Sequence, residues 1–292
     1  MIDRRKKLFN LHEEASYIHL SKNASQFSAK VENKMRIADV LNIKASGLSD
    51  EEYRYALQAH YDFVIYDNGN YPLFAVEFDG PFHENDANVI KKDILKNNIC
   101  EKLIFPLLRI NADFLTKKIN NLSLLSWVIE VWFFGQEFFK QQEQGFIPKD
   151  EPFDYNFVMK PFLKDGSIDV DFPYNLSRNA IIFINNCRKE SIISRVNFKA
   201  YEDKLGFTYG IIIASVGDKK GIMSKVRVKS FNFYPPSPSD IVEELVIIDI
   251  ANKIKRFIEN KEKCLDSQPV YDFLNKIQFN SDNFTFLKAF SF

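Results

Sequence analysis

Two short apolar runs separated by turn-forming residues are the clearest pattern in the first half of the chain. Residues 61–66 (YDFVIY) and 73–79 (LFAVEFD) flank a linker, residues 67–72, that contains Asp, Asn, Gly and Pro. Apolar runs joined in this way predict a β-hairpin. Residues 86–103 then carry apolar side chains at helical spacing, and residues 104–110 form another apolar run. The order predicts a hairpin, a helical crossover and a further buried strand.

Two other segments are predicted to be helical, residues 11–22 and residues 122–139 (LSLLSWVIEVWFFGQEFF). The second is the most apolar part of the chain, but Glu130, Gly135 and Glu137 interrupt it. A bilayer span needs about 20 nearly uncharged residues. We therefore expect a buried aromatic helix that bridges two domains, and not a membrane span.

The composition changes directly after this aromatic segment. Residues 140–145 are polar, and residues 147–152 contain two prolines. Such a stretch is typical of a domain boundary. We expect a first domain over residues 1–145 and a second over residues 146–292.

The second half predicts an α+β domain without a recognisable motif. Residues 180–184 are predicted to form a strand, and residues 207–216 and 222–234 a hairpin. A helix is expected over residues 238–260, because Ser237 supplies a cap, followed by a proline and an acid at the third helical position.

Composition narrows the class of protein. The 292 residues are 46% hydrophobic and 27% charged, which excludes a disordered or collagen-like chain. The 39 basic and 39 acidic side chains balance, so a nucleic acid would have to be bound by a local basic patch. Three scattered cysteines without a CxxC pair favour a reducing compartment. The basic start has no apolar run behind it, so we expect a cytoplasmic protein.

Three acids occupy positions that the apolar pattern would assign to the core. Asp62 begins one run, and Glu77 and Asp79 end the next. If the hairpin pairs symmetrically, Tyr66 faces Leu73, and Asp62 therefore faces Glu77. Opposed like charges are destabilising without a counter-ion, and carboxylate oxygens are the ligands that Mg²⁺ or Mn²⁺ prefers. The alternative is that the acids are solvated strand ends paired with a lysine.

The residues after the second run are unusually polar. Gly80 permits a sharp turn, and His83 can place an imidazole beside the carboxylates. Lys92, Asp93 and Lys96 then share one face of the predicted helix at spacings of three and four. A metal site and solvated strand ends both remain open on this evidence.

Four segments together resemble the PD-(D/E)XK nuclease superfamily. They are residues 62–64 (DFV), 76–83 (VEFDGPFH), 93–96 (DILK) and 105–110 (FPLLRI). More narrowly, their order resembles the bacterial ExDGxxH subgroup related to very-short-patch-repair endonucleases. The resemblance extends over about residues 30–110 and includes the segment KMRIADVL before the hairpin.

The resemblance implies an α/β fold, a restriction-endonuclease-like mixed sheet flanked by helices. It also implies that Asp62 and Glu77 bind Mg²⁺ or Mn²⁺, which activates water against a phosphodiester. Asp79 replaces the lysine that usually follows the acid, as it does throughout the subgroup, and Lys96 or Lys92 could supply the missing charge. We prefer Lys96, which completes the DxxK motif.

Two roles remain open for the next residues of the motif. His83 would be a general base or would assist the leaving group. Alternatively, Asp79 is a third metal ligand and His83 only orients it. Glu14 on the first helix is a possible further ligand, with a solvated position the alternative for it and for Glu13. Arg109 is expected to pair with an acid such as Asp93.

The second half offers one candidate surface. Lys225, Arg227 and Lys229 alternate with valines, so one face of that strand is basic. Contact with nucleic acid, a partner-protein surface and an ordinary solvated sheet face are all open for it.

These observations together predict a Mg²⁺-dependent DNA endonuclease or nicking enzyme. The resemblance alone connects it to repair, restriction or anti-phage defence. The alternative is a nuclease-like fold retained as a nucleic-acid-binding or assembly module, because the usual lysine is missing. RNA remains an alternative substrate, and double-strand cutting would favour a homodimer.

Overall fold

The computed structural model describes residues 11–80, 87–119, 122–157, 175–217, 220–261, 263–266 and 283–291. The chain is mixed α/β, which confirms the predicted class. It divides into two compact units. Unit 1 comprises Met1–Phe153 and Phe231–Pro235, and unit 2 comprises Asp154–Ser230 and Pro236–Phe292.

Unit 1 contains a four-stranded mixed sheet. Its strands lie in chain order, with β1–β2 and β2–β3 antiparallel and β3–β4 parallel. Helix α4 makes the crossover that the parallel pair requires. The bounds are β1 (Lys30–Arg36), β2 (His60–Tyr66), β3 (Pro72–Phe78), α4 (Ala87–Lys102) and β4 (Leu107–Ile110).

Further helices and a short two-stranded sheet complete the description of unit 1. Helix α1 packs against β1 and against the aromatic helix α6. The bounds are α1 (Leu11–Gln26), α2 (Ile37–Val40), α3 (Asp50–Ala56), α5 (Ala112–Thr116), β5 (Lys118–Ile119), β6 (Leu122–Ser123) and α6 (Leu124–Glu143).

The two central strands of this sheet are covered on both faces. Consecutive residues Phe63, Val64 and Ile65 are all fully buried, as are Phe74 to Val76 on the neighbouring strand. Such continuous apolar runs are typical of strands with helices on both sides. A charged side chain at the end of these strands therefore lies close to an apolar interior, where it needs a partner.

Unit 2 contains a five-stranded antiparallel sheet in the order β10-β9-β8-β7-β11. Helix α8 packs on β8 and β9, and a Cβ at Gly210 would lie 2.8 Å from the carbonyl oxygen of Val242. The bounds are α7 (Arg178–Lys189), β7 (Val196–Asp203), β8 (Phe207–Val216), β9 (Lys220–Lys229), α8 (Pro238–Ile258), β10 (Leu265–Asp266) and β11 (Phe284–Ser291), with a 3₁₀ turn over Tyr155–Phe157.

Most of the long elements agree with the sequence predictions. The first helix, both hairpins, the crossover helix, the aromatic helix and the last long helix are present. The cap of α8 is also confirmed, because the Ser237 side chain accepts from the backbone N–H of Asp240 and the Asp240 side chain accepts from that of Ser237. Within the described part of the chain, no helix is long and apolar enough to cross a bilayer.

Three structural predictions were wrong or incomplete. The strand expected over residues 180–184 is part of helix α7, where Ile184 and Cys187 are buried at helical spacing and Ile182 is 49% exposed. Strand β1 was not predicted, because its sequence is mostly polar. Tyr66 pairs with Pro72 and not with Leu73, since the β2–β3 register shifts after Ile65.

Candidate active site

Asp62 and Glu77 lie side by side at one end of the β2–β3 hairpin. The register places Phe63 opposite Val76, so the two acids are one step beyond that pair. The backbone N–H of Asp62 donates to Oε1 of Glu77 at 3.2 Å, and the backbone N–H of Phe78 donates to Oδ2 of Asp62 at 2.9 Å. Each carboxylate thus accepts a hydrogen bond from a backbone N–H of the neighbouring strand. The register shift lies after Ile65, near the turn, so it does not alter the contact between Asp62 and Glu77.

Glu77 is almost fully buried, with 8% of its surface exposed. Burial raises the pKa of Glu77 to about 7; Lys96 opposes this rise and the Asp62 charge adds to it. The ammonium nitrogen of Lys96 lies 2.7 Å from Oε2 of Glu77 and donates to the carbonyl oxygen of His60 at 2.9 Å. The lysine that completes the DxxK motif is therefore in contact with the buried acid.

A second lysine, Lys34 on β1, lies against Asp62. Its Nζ donates to Oδ1 of Asp62 at 2.6 Å and to Oε1 of Glu13 at 2.7 Å. Partial burial lowers the pKa of Lys34, but the hydrogen bonds to Asp62 and Glu13 outweigh this and raise it overall. Glu13 is the acid of α1 that makes this contact.

Asp79 is bound by a buried arginine. The Arg109 guanidinium donates to Oδ1 of Asp79 at 2.8 Å and to Oδ1 of Asp93 at 3.2 Å, and its Nε donates to Oδ1 of Asn97 at 3.0 Å. Arg109 also lies opposite Glu77 in the parallel pairing of β3 with β4. The arginine therefore ties the end of β3 to helix α4, and the expected pair with Asp93 is present.

The remaining predicted residues of unit 1 lie elsewhere. Lys92 is exposed on α4, one turn before the buried Lys96. Glu14 is half-buried on α1. His83 lies outside the described residues.

The predicted basic residues of β9 lie on unit 2. Lys225 and Arg227 are exposed, and Lys229 is half-buried. The Lys225 ammonium lies 4.6 Å from the ring centre of Tyr209, and the Arg227 guanidinium lies 4.6 Å from that of Phe207. These cations therefore stand over aromatic rings of the adjacent strand β8.

The sequence analysis did not name Lys34 as a site residue, although Lys34 begins the segment KMRIADVL that the resemblance includes. Strand β1 carries no apolar alternation that would have placed Lys34 beside Asp62. The spacing of Glu13 from Lys34, 21 residues, carries no pattern of its own.

No group of three or more His, Cys, Asp or Glu side chains that could hold a metal ion occurs in the described part of the chain. Asp62 and Glu77 supply two carboxylates, and each is in contact with a lysine. The site is thus a pair of acids on adjacent strands with an ammonium group against each.

These features define a mixed α/β unit that carries paired acids and lysines at one end of its sheet. Residues 5–121 of the chain match the family described as "Protein of unknown function (DUF2726)". The match includes α1, the whole four-stranded sheet and every site residue named above in unit 1. Neither the curated proteins nor the solved structures contain a match to the chain.

Proposed function

We propose that the chain is a metal-dependent endonuclease that hydrolyses DNA phosphodiester bonds. The observation that carries this proposal is the contact between Asp62 and Glu77 on neighbouring strands, with Lys96 at 2.7 Å from Glu77. The element order α1-β1-α2-α3-β2-β3-α4-β4 around a mixed sheet supports a restriction-endonuclease-like fold, which the sequence resemblance implies.

The donor atoms fit the chemistry of Mg²⁺ or Mn²⁺. Both ions prefer oxygen ligands from one or two carboxylates together with water, and Asp62 and Glu77 would supply those carboxylates. A bound ion would lower the pKa of its water and neutralise charge on the phosphate. Asp79 is a weaker candidate for a ligand, because its Oδ1 already accepts from Arg109.

Lys96 has the geometry of a fixed positive group. Its ammonium is bonded to Glu77 and to the carbonyl oxygen of His60, and its side chain is 9% exposed. A cation held in advance stabilises negative charge that develops in the transition state without a cost of reorganisation. We therefore assign Lys96 the role of the superfamily's usual lysine, whose position Asp79 occupies in this chain. His83 keeps its proposed role as general base or leaving-group assistant.

Arg109 acts on the site through other residues. Its bonds to Asp79 on one side and to Asp93 and Asn97 on the other connect β3 to α4. These bonds fix the distance between the strand that carries Glu77 and the helix that carries Lys96. We regard Arg109 and Asp93 as positioning residues.

Unit 2 would contribute to substrate binding through β9. Basic side chains over aromatic rings can follow a phosphate backbone and stack on bases. Lys225, Arg227 and Lys229 are therefore proposed contacts for DNA.

The test is a nicking assay on the full chain. Supercoiled DNA with Mg²⁺ or Mn²⁺ should become nicked or linear, and chelation with EDTA should prevent this. Glu77→Gln and Asp62→Asn should lose at least about a hundredfold in rate. Because Glu77→Gln leaves the buried Lys96 without its carboxylate partner, its circular dichroism spectrum must match that of the parent before the rates are compared. Glu51→Gln is the matched control, because Glu51 is exposed and pairs only at the surface with Lys91. Cutting by Glu77→Gln at the parental rate would exclude this site, and a parallel RNA substrate would reveal an RNA preference.

One observation favours a second function, a nuclease-like module that binds nucleic acid or a partner without cutting. The ammonium groups of Lys34 and Lys96 already compensate Asp62 and Glu77, so the acids do not require a metal. Calorimetry with Mn²⁺ separates the two functions. Heat that Asp62→Asn abolishes supports the endonuclease, whereas DNA binding without such heat supports the module.

A further inference from the structure

The two lysines of the site differ in how firmly they are held. The side chain of Lys96 is 9% exposed, and it is bonded to a buried carboxylate and to a backbone carbonyl. The side chain of Lys34 is 37% exposed, and the carboxylates of Glu13 and Asp62 are its partners at 2.7 and 2.6 Å. Lys34 can therefore move into solvent by rotation of its flexible stem, while Lys96 cannot without leaving a buried charge unpaired.

The backbone at Lys34 is also unusual. Its φ is +51°, a left-handed conformation that costs free energy in any residue with a Cβ. Asn33 and Met35 on either side pair regularly with β2. The single irregular residue of β1 is thus the one whose side chain reaches Asp62. Strained residues of this kind occur preferentially at functional sites.

Lys34 occupies one of the carboxylate oxygens that a divalent cation would use. Its ammonium contacts Oδ1 of Asp62, one of the two proposed metal ligands. An ammonium and a divalent cation cannot share that oxygen at close range, because their like charges repel in a partly buried setting. Binding of the divalent ion at Asp62 therefore requires Lys34 to leave.

We infer that Lys34 is a built-in competitor for the divalent cation, and that it weakens metal binding until its ammonium is displaced from Asp62 and Glu13. The inference rests on the proposed function, since it concerns the same site. It adds a regulatory element from β1, the edge strand beside β2.

The test is calorimetric titration of the full chain with Mn²⁺. Lys34→Met should bind Mn²⁺ about five- to thirtyfold more tightly than the parent, the factor expected when two partly exposed ion pairs no longer need to be broken. Lys34→Arg keeps the charge and should retain the parental affinity. Lys30→Met is the matched control, because Lys30 lies on the same strand and pairs with Glu32.

Thermal unfolding gives a readout that is independent of activity. In EDTA, Lys34→Met should melt at a lower temperature than the parent, because Glu13 and Asp62 lose their cation. Mn²⁺ should raise its melting temperature by more than that of the parent. If Lys34→Met does not fold, Lys34→Asn carries the test, because asparagine tolerates left-handed backbone.

Each outcome decides the inference. Tighter binding by Lys34→Met that disappears when Asp62→Asn is added supports it. Equal affinity of Lys34→Met and the parent overturns the competition and leaves the endonuclease proposal in place. Tighter binding that survives Asp62→Asn also overturns it, because the ion then binds elsewhere. Absence of binding by the parent and both Lys34 variants overturns the inference together with the metal-dependent function.

Discussion

The ammonium of Lys96 and the carboxylate of Glu77 form an ion pair at 2.7 Å in which both side chains are about nine-tenths buried. The pair joins helix α4 to the central strand β3. Removal of one partner from such a pair leaves an uncompensated charge in an apolar setting, which costs far more than the pair itself contributes.

Lys96→Met should therefore destabilise unit 1 by about 3–5 kcal/mol. Chemical denaturation measures the change in the free energy of unfolding. Lys91→Met is the control on the same helix, because Lys91 pairs with Glu51 at the surface, and it should cost at most about 1 kcal/mol. Equal effects of the two substitutions would mean that the Lys96 pair is open to solvent.

Arg109→Lys should lower stability and displace α4, although it conserves the charge. A single ammonium cannot reach Asp79, Asp93 and Asn97 together, whereas the planar guanidinium contacts all three. The free energy of unfolding should fall by about 2 kcal/mol or more, toward the cost of breaking a buried pair. Hydrogen exchange should show the loss of protection in α4. An Arg36→Lys control at the exposed Arg36–Asp39 pair should leave the protection of α4 unchanged.

Glu244 predicts a pH dependence of stability in unit 2. It is fully buried on α8, where it accepts from the backbone N–H of Ser177 at 2.7 Å and from the Tyr155 hydroxyl at 3.2 Å. Burial raises the pKa of Glu244 from 4.5 to about 8, and the bonds from Ser177 partly oppose that rise. The folded state therefore holds this proton more firmly than the unfolded state. The contribution of protonated Glu244 to the free energy of unfolding is fully present below pH 4.5 and is lost as the pH rises to about 8.

Glu244→Gln removes this titration. The altered hydrogen bonds should lower the free energy of unfolding of the variant by the same amount at every pH. Between pH 4.5 and 8, the free energy of unfolding of the parent should fall by several kcal/mol relative to that of the variant, because Glu244 titrates only in the parent. Unfolding by urea across that pH range measures the difference. A constant difference between the two proteins would show that Glu244 is ionised at every pH tested.

Ser237→Ala should destabilise α8 by about 1 kcal/mol, because the hydroxyl that accepts from the backbone N–H of Asp240 and donates to its carboxylate is lost. Thermal or chemical unfolding gives the change. Ser25→Ala provides the comparison, since the exposed Ser25 hydroxyl only donates to a carbonyl within α1 and caps no helix. A similar effect of both would show that the cap contributes nothing specific.

The sequence predicted the elements whose apolar pattern is continuous. Strands β2 and β3 are buried on both faces and the long helices repeat at 3.6 residues, so local pattern and tertiary burial agree. Strand β1 is different, because Val31 is its only buried residue. An edge strand with so little burial leaves almost no periodic signal, and its existence depends on pairing with β2.

The same distinction, between elements with and without a continuous apolar pattern, applies to the residues of the candidate site. Asp62 and Glu77 belong to strands whose predicted register placed them together. Lys96 lies on a helix that the pattern also predicted, but the family resemblance selected it over Lys92. The contact of Lys34 with Glu13 connects β1 to α1. It depends on tertiary packing alone, so no local sequence pattern predicts it. The shift at Tyr66 likewise depends on the turn, where Pro72 lacks an N–H to donate to the ladder.

Asp62 and Glu77 lie at the end of the β2–β3 hairpin that is opposite its turn, residues 67–71. Lys96 belongs to the crossover helix α4. Insertions in that turn would lengthen the loop without altering the distance between Asp62 and Glu77. One residue added within α4 ahead of Lys96 would rotate the lysine by about 100° around the helix axis and away from Glu77. Related chains should therefore vary freely in the length of the turn but keep the length of α4.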